Sequence, residues 1–348
     1  LNPSPLADTH TAHGAQMQGT DGWLLPARYG ADIAPEIEAL KHGAALIDMA
    51  EVATVTLAGP DARRFCNGMF TNNMRDLKTG QSNRSAACDD RGRVLALLDM
   101  LCIDDDAFLA VLEGVTAEWF EERYGLYIVF DDVEMTTFEQ APWVLSLQGP
   151  KAESILRQAG LPTPEEGHLQ TEDGTRVCRK DRAGTGGFDL LLPTEALQTT
   201  FNALVDAGAS MVGRDALNAV RIFNGRAAWP QDGTEKSLVH ELRIDKEVCN
   251  FSKGCYLGQE VINRIDVKGG VTKRLMGLLF DEDAPLPVGS EVHLEDKVVG
   301  TVSSIAKIDG QVMALSVLRK KAWDAQTQVE VHAGDRTIPA RVTDLPLP

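Results

Sequence analysis

No Cys-x-x-Cys occurs anywhere in this chain of 348 residues, and no Cys/His group stands at zinc-ligand spacing. The six cysteines, Cys66, Cys88, Cys102, Cys178, Cys249 and Cys255, are scattered through apolar or strand-like surroundings. That usage excludes a disulfide framework and an Fe–S cluster held by this chain alone, and it fits a reduced compartment, the cytoplasm or an organellar matrix. Cys249 and Cys255 lie close in sequence, but a metal shared between them would need two further ligands that no nearby motif supplies. Long apolar runs are missing as well: nothing reaches the roughly 18 residues that would span a bilayer, so no membrane partner is expected. Basic residues are few. Thirty-four Lys and Arg against 51 Asp and Glu leave a net charge of −17, which works against broad nucleic-acid binding and against anionic surfaces. Residues 1–20 are polar, rich in Thr, His and Gln, and without the apolar segment of a signal peptide. They read as a disordered arm, with His10 and His13 in a flexible tail.

What is present is enough chain for two or three domains with a large core and no need of staples. An internal echo organises it. Val55-Thr56-Leu57-Ala58-Gly59-Pro60-Asp61-Ala62 returns as Leu145-Ser146-Leu147-Gln148-Gly149-Pro150-Lys151-Ala152, each a short strand, a Gly-Pro turn and then a helix, predicted over 61–69 and 151–159. After each helix comes a pair of strand-like segments around a polar turn: Ser85–Cys88 with Val94–Ile103, and Arg176–Arg179 with Phe188–Leu192. From residue 273 onward, β-branched runs separated by Gly, Pro, Asp and Lys turns predict a small antiparallel barrel, with Asp266–Thr272 as linker. The expectation is an α+β chain: a disordered arm over 1–20, a first α+β domain over 21–140, a second over 141–272 and a C-terminal β-barrel domain over 273–348.

Lys253-Gly254-Cys255-Tyr256-Leu257-Gly258-Gln259-Glu260 carries the strongest chemical signal. Leu257, Val261 and Ile265 recur at four-residue spacing, which predicts a helix beginning near Cys255. The unpaired N–H groups at such a start, with Lys253 two residues away, would favour a thiolate over a thiol. Cys255 therefore has two readings, a working nucleophile or ligand, and a small apolar residue in a tight Gly-x-x-x-Gly turn. Arg264, Lys268, Lys273 and Arg274 form a short cationic run, suited to the carboxylate or phosphate of a small ligand, or else a solvated loop.

Lys-Gly-Cys-Tyr-x-Gly-Gln-Glu at 253–260, followed by Arg264 and the Lys273-Arg274-Leu275 start of the terminal barrel, resembles the signature of the YgfZ family, folate-binding relatives of the glycine cleavage T-protein. Wider similarity to that superfamily includes Gly43 to Asp48, both Gly-Pro turns, Gly213-Arg214-Asp215-Ala216-Leu217 and the barrel. The resemblance implies a three-domain ring with a channel that admits tetrahydrofolate, and a role in assembly or repair of Fe–S proteins, with radical-SAM enzymes among the clients. It also implies Cys255 and Lys253 as the working pair, with Tyr256, Gly258, Gln259, Glu260, Arg264 and Phe223 on the ligand side.

Departures from the T-protein pattern matter for chemistry. Aminomethyltransferases look like Gly-Gly-x-x-Asp-Asp where this chain has Gly92-Arg93-Val94-Leu95-Ala96-Leu97, so the carboxylate that would face the folate nitrogen is replaced by apolar groups that neither accept a proton nor stabilise a cation. Asp99 is read as a strand-end polar residue on the face opposite Ala96. At Arg221-Ile222-Phe223-Asn224-Gly225, Phe223 stands where folate-binding relatives resemble Arg-x-Glu-Ala-Gly. It offers a surface for stacking in place of hydrogen bonds, or simple core. Ala183-Gly184-Thr185-Gly186-Gly187-Phe188-Asp189 replaces Thr-Gly-Glu-Asp-Gly-Phe-Glu. The leading expectation is thus a tetrahydrofolate-binding Fe–S maintenance factor acting through Cys255. The alternatives are a folate-dependent one-carbon transferase, such as an aminomethyltransferase or demethylase, and a pure folate-binding protein.

Overall fold

A computed structural model describes residues 1–137, 142–281 and 286–347; the domain boundary expected at 140 and 141 lies outside them. The chain forms two compact units, one of residues 1–66, 74–83 and 98–220, the other of residues 67–73, 84–97 and 221–348.

The first unit contains the echoed elements. Strand Ala53–Ala58 leads into helix Ala62–Met69, and strand Trp143–Gln148 into helix Ala152–Gln158. Each turn closes in the same way, with the N–H of Ala62 donating to the Gly59 carbonyl and that of Ala152 to the Gly149 carbonyl. Both glycines have positive φ, 135° and 112°. A Cβ at Gly59 would lie 2.3 Å from the Asp132 carbonyl, and one at Gly149 2.7 Å from that of Gly43. Glycine is required at both for space as well as conformation. Trp143–Gln148 sits in a six-stranded sheet ordered Leu169–Glu172, Thr175–Arg179, Gly187–Leu192, Trp143–Gln148, Ala45–Asp48, Ser210–Met211. Leu145, Leu147, Phe188, Leu190 and Leu192 pack from it against Ile155, Leu156, Phe201 and Leu204 of the helices. A five-stranded sheet runs Ser82–Cys88, Val94–Asp104, Ala107–Glu113, Ala53–Ala58, Glu134–Thr136.

The disordered arm expected over residues 1–20 is ordered. Helix Ala7–Ala12 and strands Asn2–Pro3 and Gln16–Thr20 occupy it, the strands pairing with Trp23–Arg28. His10 is fully buried: one ring nitrogen lies 2.9 Å from Asp48 Oδ2 and the other 2.6 Å from the Tyr29 hydroxyl, while the Ser4 hydroxyl donates to the same Asp48 oxygen. A polar composition concealed this because the anchor is a hydrogen-bond network, with Leu6 the buried apolar contribution.

In the second unit, six strands close a barrel in the order Lys273–Phe280, Gln311–Arg319, Lys297–Ile308, Glu291–Leu294, Gln328–Ala333, Arg336–Thr343. Met276, Leu278, Phe280, Val292, Val299, Val329, Val331, Ile338 and Val342 fill its core. Asp266–Thr272 is not wholly a linker, because helix Gln259–Lys268 extends through its first three residues and ends at Gly269.

Candidate functional site

The Lys253–Glu260 segment is held by backbone contacts to residues 68–72 of the same unit. The N–H of Leu257 donates to the Gly68 carbonyl at 3.0 Å, the N–H of Asn250 to the Thr71 carbonyl at 3.1 Å, and the Thr71 hydroxyl to the Val248 carbonyl at 2.5 Å. Lys253 Nζ donates to the carbonyls of Phe70 and Asn72, both at 2.6 Å, and lies 4.9 Å from the Tyr256 ring centroid. This lysine fastens the loop: charge-assisted bonds to two carbonyls plus a cation–π contact order its ammonium.

Tyr256 is core. Its ring packs with Ala86, Cys88, Val94, Leu97, Val239, Leu242, Val248, Cys249 and Ile262. Its hydroxyl is buried without a hydrogen-bond partner, and burial pushes its ionisation well above the ordinary phenol range. Gly258 has φ 83°, and a Cβ there would come within 2.6 Å of the Asp89 carbonyl oxygen and 2.8 Å of Gly92 Cα. The glycine permits backbone-to-backbone contact with the Asp89–Gly92 turn, the same turn that precedes Ala96 and Leu97.

The helix expected to open near Cys255 opens at Gln259, with left-handed Gly258 as its cap. Leu257 belongs to the preceding turn, and Ile262 is the helix's buried residue. The four-residue spacing read from Leu257 therefore placed the start too early, and Cys255 precedes the helix instead of beginning it. Cys255 is exposed, whereas Cys66, Cys88, Cys102, Cys178 and Cys249 are buried, and none of the six is joined in a disulfide. Burial raises the Cys88 thiol well above its usual value and pushes Cys249 up to about 12, with the neighbouring Cys249 and Asp245 respectively adding to the effect. Gln259 is half-buried at the helix start, and Glu260 and Arg264 are exposed along it. Lys268 and Lys273 are exposed too, whereas Arg274 lies 4.9 Å over the Trp323 ring.

Ala96 and Leu97 are fully buried. Phe223 is half-buried at the end of helix Arg214–Phe223, its carbonyl accepting from the Leu347 N–H. Two residues earlier, Arg221 is locked in structural contacts, donating to Asp232 at 2.7 Å and to the Ser304 hydroxyl at 2.7 Å. The side chains at 96 and 97 offer no proton-transfer group.

Sequence reasoning missed two charged clusters. In the first unit, Lys180 Nζ lies 2.5 Å from both Asp99 Oδ2 and Glu113 Oε1, and Arg182 grips Asp189 with two nitrogens at 3.0 and 2.5 Å. Buried Gln148 accepts from the Arg182 N–H and donates to the Lys180 carbonyl. Asp99 is thus no strand-end residue: the strand runs on to Asp104, and the carboxylate is half of an ion pair. The sequence signal was the Lys180-x-Arg182 pair opposite Asp189 across one hairpin. In the second unit, His240, Asp245 and Asp266 bring one ring nitrogen and two carboxylate oxygens within 4.8 Å of one another. No local spacing announces that group.

The model of the GCVT N-terminal domain matches residues 6–253, and that of the glycine cleavage T-protein C-terminal barrel domain matches residues 273–347. The chain belongs to the glycine cleavage T-protein family. Among similar T-protein relatives are the aminomethyltransferase of Herpetosiphon aurantiacus, 26% identical over 100% of this chain and 98% of the relative, and that of Mycobacterium leprae, 26% identical over 87% and 84%. The crystal structure of the glycine cleavage system aminomethyltransferase T from Bartonella henselae superposes with a TM-score of 0.90 at 21% identity, covering 99% of this chain and 98% of that one. This likeness shows that the T-protein fold covers 99% of this chain.

Proposed function

We propose that this T-protein family member binds tetrahydrofolate or a one-carbon derivative of it and acts as a folate-dependent one-carbon transferase. The observation that carries this reading is the end-to-end match of both modules to aminomethyltransferases. Buried Ala96 and Leu97 narrow it: proton transfer at the folate nitrogen would have to come from another group, so a donor other than the aminomethyl unit of glycine cleavage is favoured. The test is tetrahydrofolate-dependent one-carbon transfer by the purified chain, read as methyltetrahydrofolate from N-methyl donors and as methylenetetrahydrofolate from donors already at the formaldehyde oxidation level. Turnover supports the reading, and its absence with every donor, despite a tetrahydrofolate-dependent rise in melting temperature, rejects transfer in favour of binding.

A second reading rests on Cys255. It is an exposed cysteine on a loop anchored by Lys253 and Gly258, within a motif that resembles the YgfZ signature. That supports a thiol-dependent factor in assembly or repair of Fe–S proteins such as radical-SAM enzymes. In cells lacking their own such factor, the parent chain but not Cys255→Ser would restore a [4Fe–4S] enzyme's activity. Equal rescue by both would remove the thiol from the mechanism.

A further inference from the structure

We infer that His240, Asp245 and Asp266 form a binding site for a first-row divalent transition-metal ion that ties together the two ends of the segment bearing Cys255. Asp245 begins the short helix Asp245–Val248, and Asp266 stands near the end of helix Gln259–Lys268. The Lys253–Glu260 motif lies between them in the chain. A metal held by both carboxylates would close that segment into a loop, with the His240 imidazole as third ligand.

Two independent observations point to a cation. The three donor atoms already lie within 4.8 Å of one another, and ligand bonds of about 2.0–2.2 Å require only a small inward adjustment of side chains. Separately, both ring nitrogens of His240 are buried and neither has a hydrogen-bond partner. His240 as a whole is half-buried, but two ring nitrogens shielded from water and both unsatisfied are an uncommon arrangement, and a metal bond would satisfy one of them.

Lys246 is the competitor. Its ammonium lies 3.0 Å from Asp266 Oδ1 and 3.7 Å from Asp245 Oδ2, and its side chain is 75% exposed. It neutralises the carboxylates when no ion is bound and can swing into solvent when one arrives. It also lies 4.7 Å from the Phe251 ring centroid. The donor set decides the class of ion. One imidazole with two carboxylates suits Zn²⁺, Fe²⁺, Co²⁺ or Mn²⁺, whereas Mg²⁺ and Ca²⁺ prefer all-oxygen shells.

The experiment titrates the full chain, stripped with chelator, with Co²⁺ and Zn²⁺ by calorimetry, and follows the Co²⁺ visible spectrum. One equivalent should bind with a spectrum lacking the thiolate charge-transfer band. His240→Ala and Asp266→Asn should each weaken binding at least about tenfold, Cys255→Ser should leave it unchanged, and Lys246→Ala should tighten it. Circular dichroism establishes that each variant is folded; should His240→Ala fail that check, Asp266→Asn carries the comparison. Equal binding by the parent and Asp266→Asn, no stoichiometric binding by the parent, or binding abolished by Cys255→Ser would overturn the assignment. These readouts need neither folate nor an Fe–S client, so they stand or fall apart from either functional reading.

Discussion

The two charged clusters, one in each unit, differ in completeness. Around Lys180 and Arg182, each carboxylate has a cation within 2.5 Å and Gln148 ties the backbone of both basic residues. Around His240, two carboxylates share one exposed lysine while the imidazole nitrogens have no partner. A buried charge is tolerated when its partners are built in, because breaking such a pair strands a charge away from water. A polar group left unsatisfied is a standing cost unless something outside the chain supplies the partner. The contrast separates a cluster that specifies the fold from one arranged to receive a ligand.

The sharpest way to break the contrast is Lys180→Met, which leaves Asp99 and Glu113 without their shared cation. It should cost about 3–5 kcal/mol in urea unfolding; a loss under about 1 kcal/mol would mean that the network is as replaceable as a surface pair. Next is Gly258→Ala, where a methyl would meet the Asp89 carbonyl at φ 83°. A cost of about 1–3 kcal/mol is expected, together with faster proteolysis of the 249–258 loop. His240→Leu removes an imidazole that makes no hydrogen bond, so without metal it should change stability by less than about 1 kcal/mol, against the several expected at Lys180. Tyr256→Phe deletes a buried unpartnered hydroxyl and should be neutral or stabilising by up to about 1 kcal/mol. The smallest structural effect belongs to Cys255→Ser, within about 0.5 kcal/mol of the parent. In the native protein, iodoacetamide should accordingly label one thiol per chain, and peptide mapping should find it at 255.

Much of the architecture was legible because local rules agreed with one another. The Gly-Pro echo marked two strand–turn–helix units within a residue of their observed helices, and the β-branched runs after residue 273 marked the antiparallel barrel. Where legibility failed, the stabilising contacts were distant in sequence. His10 is anchored by Asp48 and Tyr29, so a polar stretch that looked solvated is ordered. The helix start moved from Cys255 to Gln259 because Gly258 packs on a turn more than 160 residues earlier, which no pattern inside the motif could report.

By itself, the sequence determined the α+β class, the terminal barrel, the absence of carboxylates at 96, 97 and 223, and the choice of Cys255 as the cysteine to watch. These follow from side-chain chemistry and short-range periodicity. Tertiary structure decided that Lys253 is bonded to the carbonyls of Phe70 and Asn72, that Tyr256 is core, that Asp99 is paired, and that His240, Asp245 and Asp266 converge. Each of these depends on which distant segments the fold brings within a few ångströms, and both hydrogen bonds and ion pairs act only over that range.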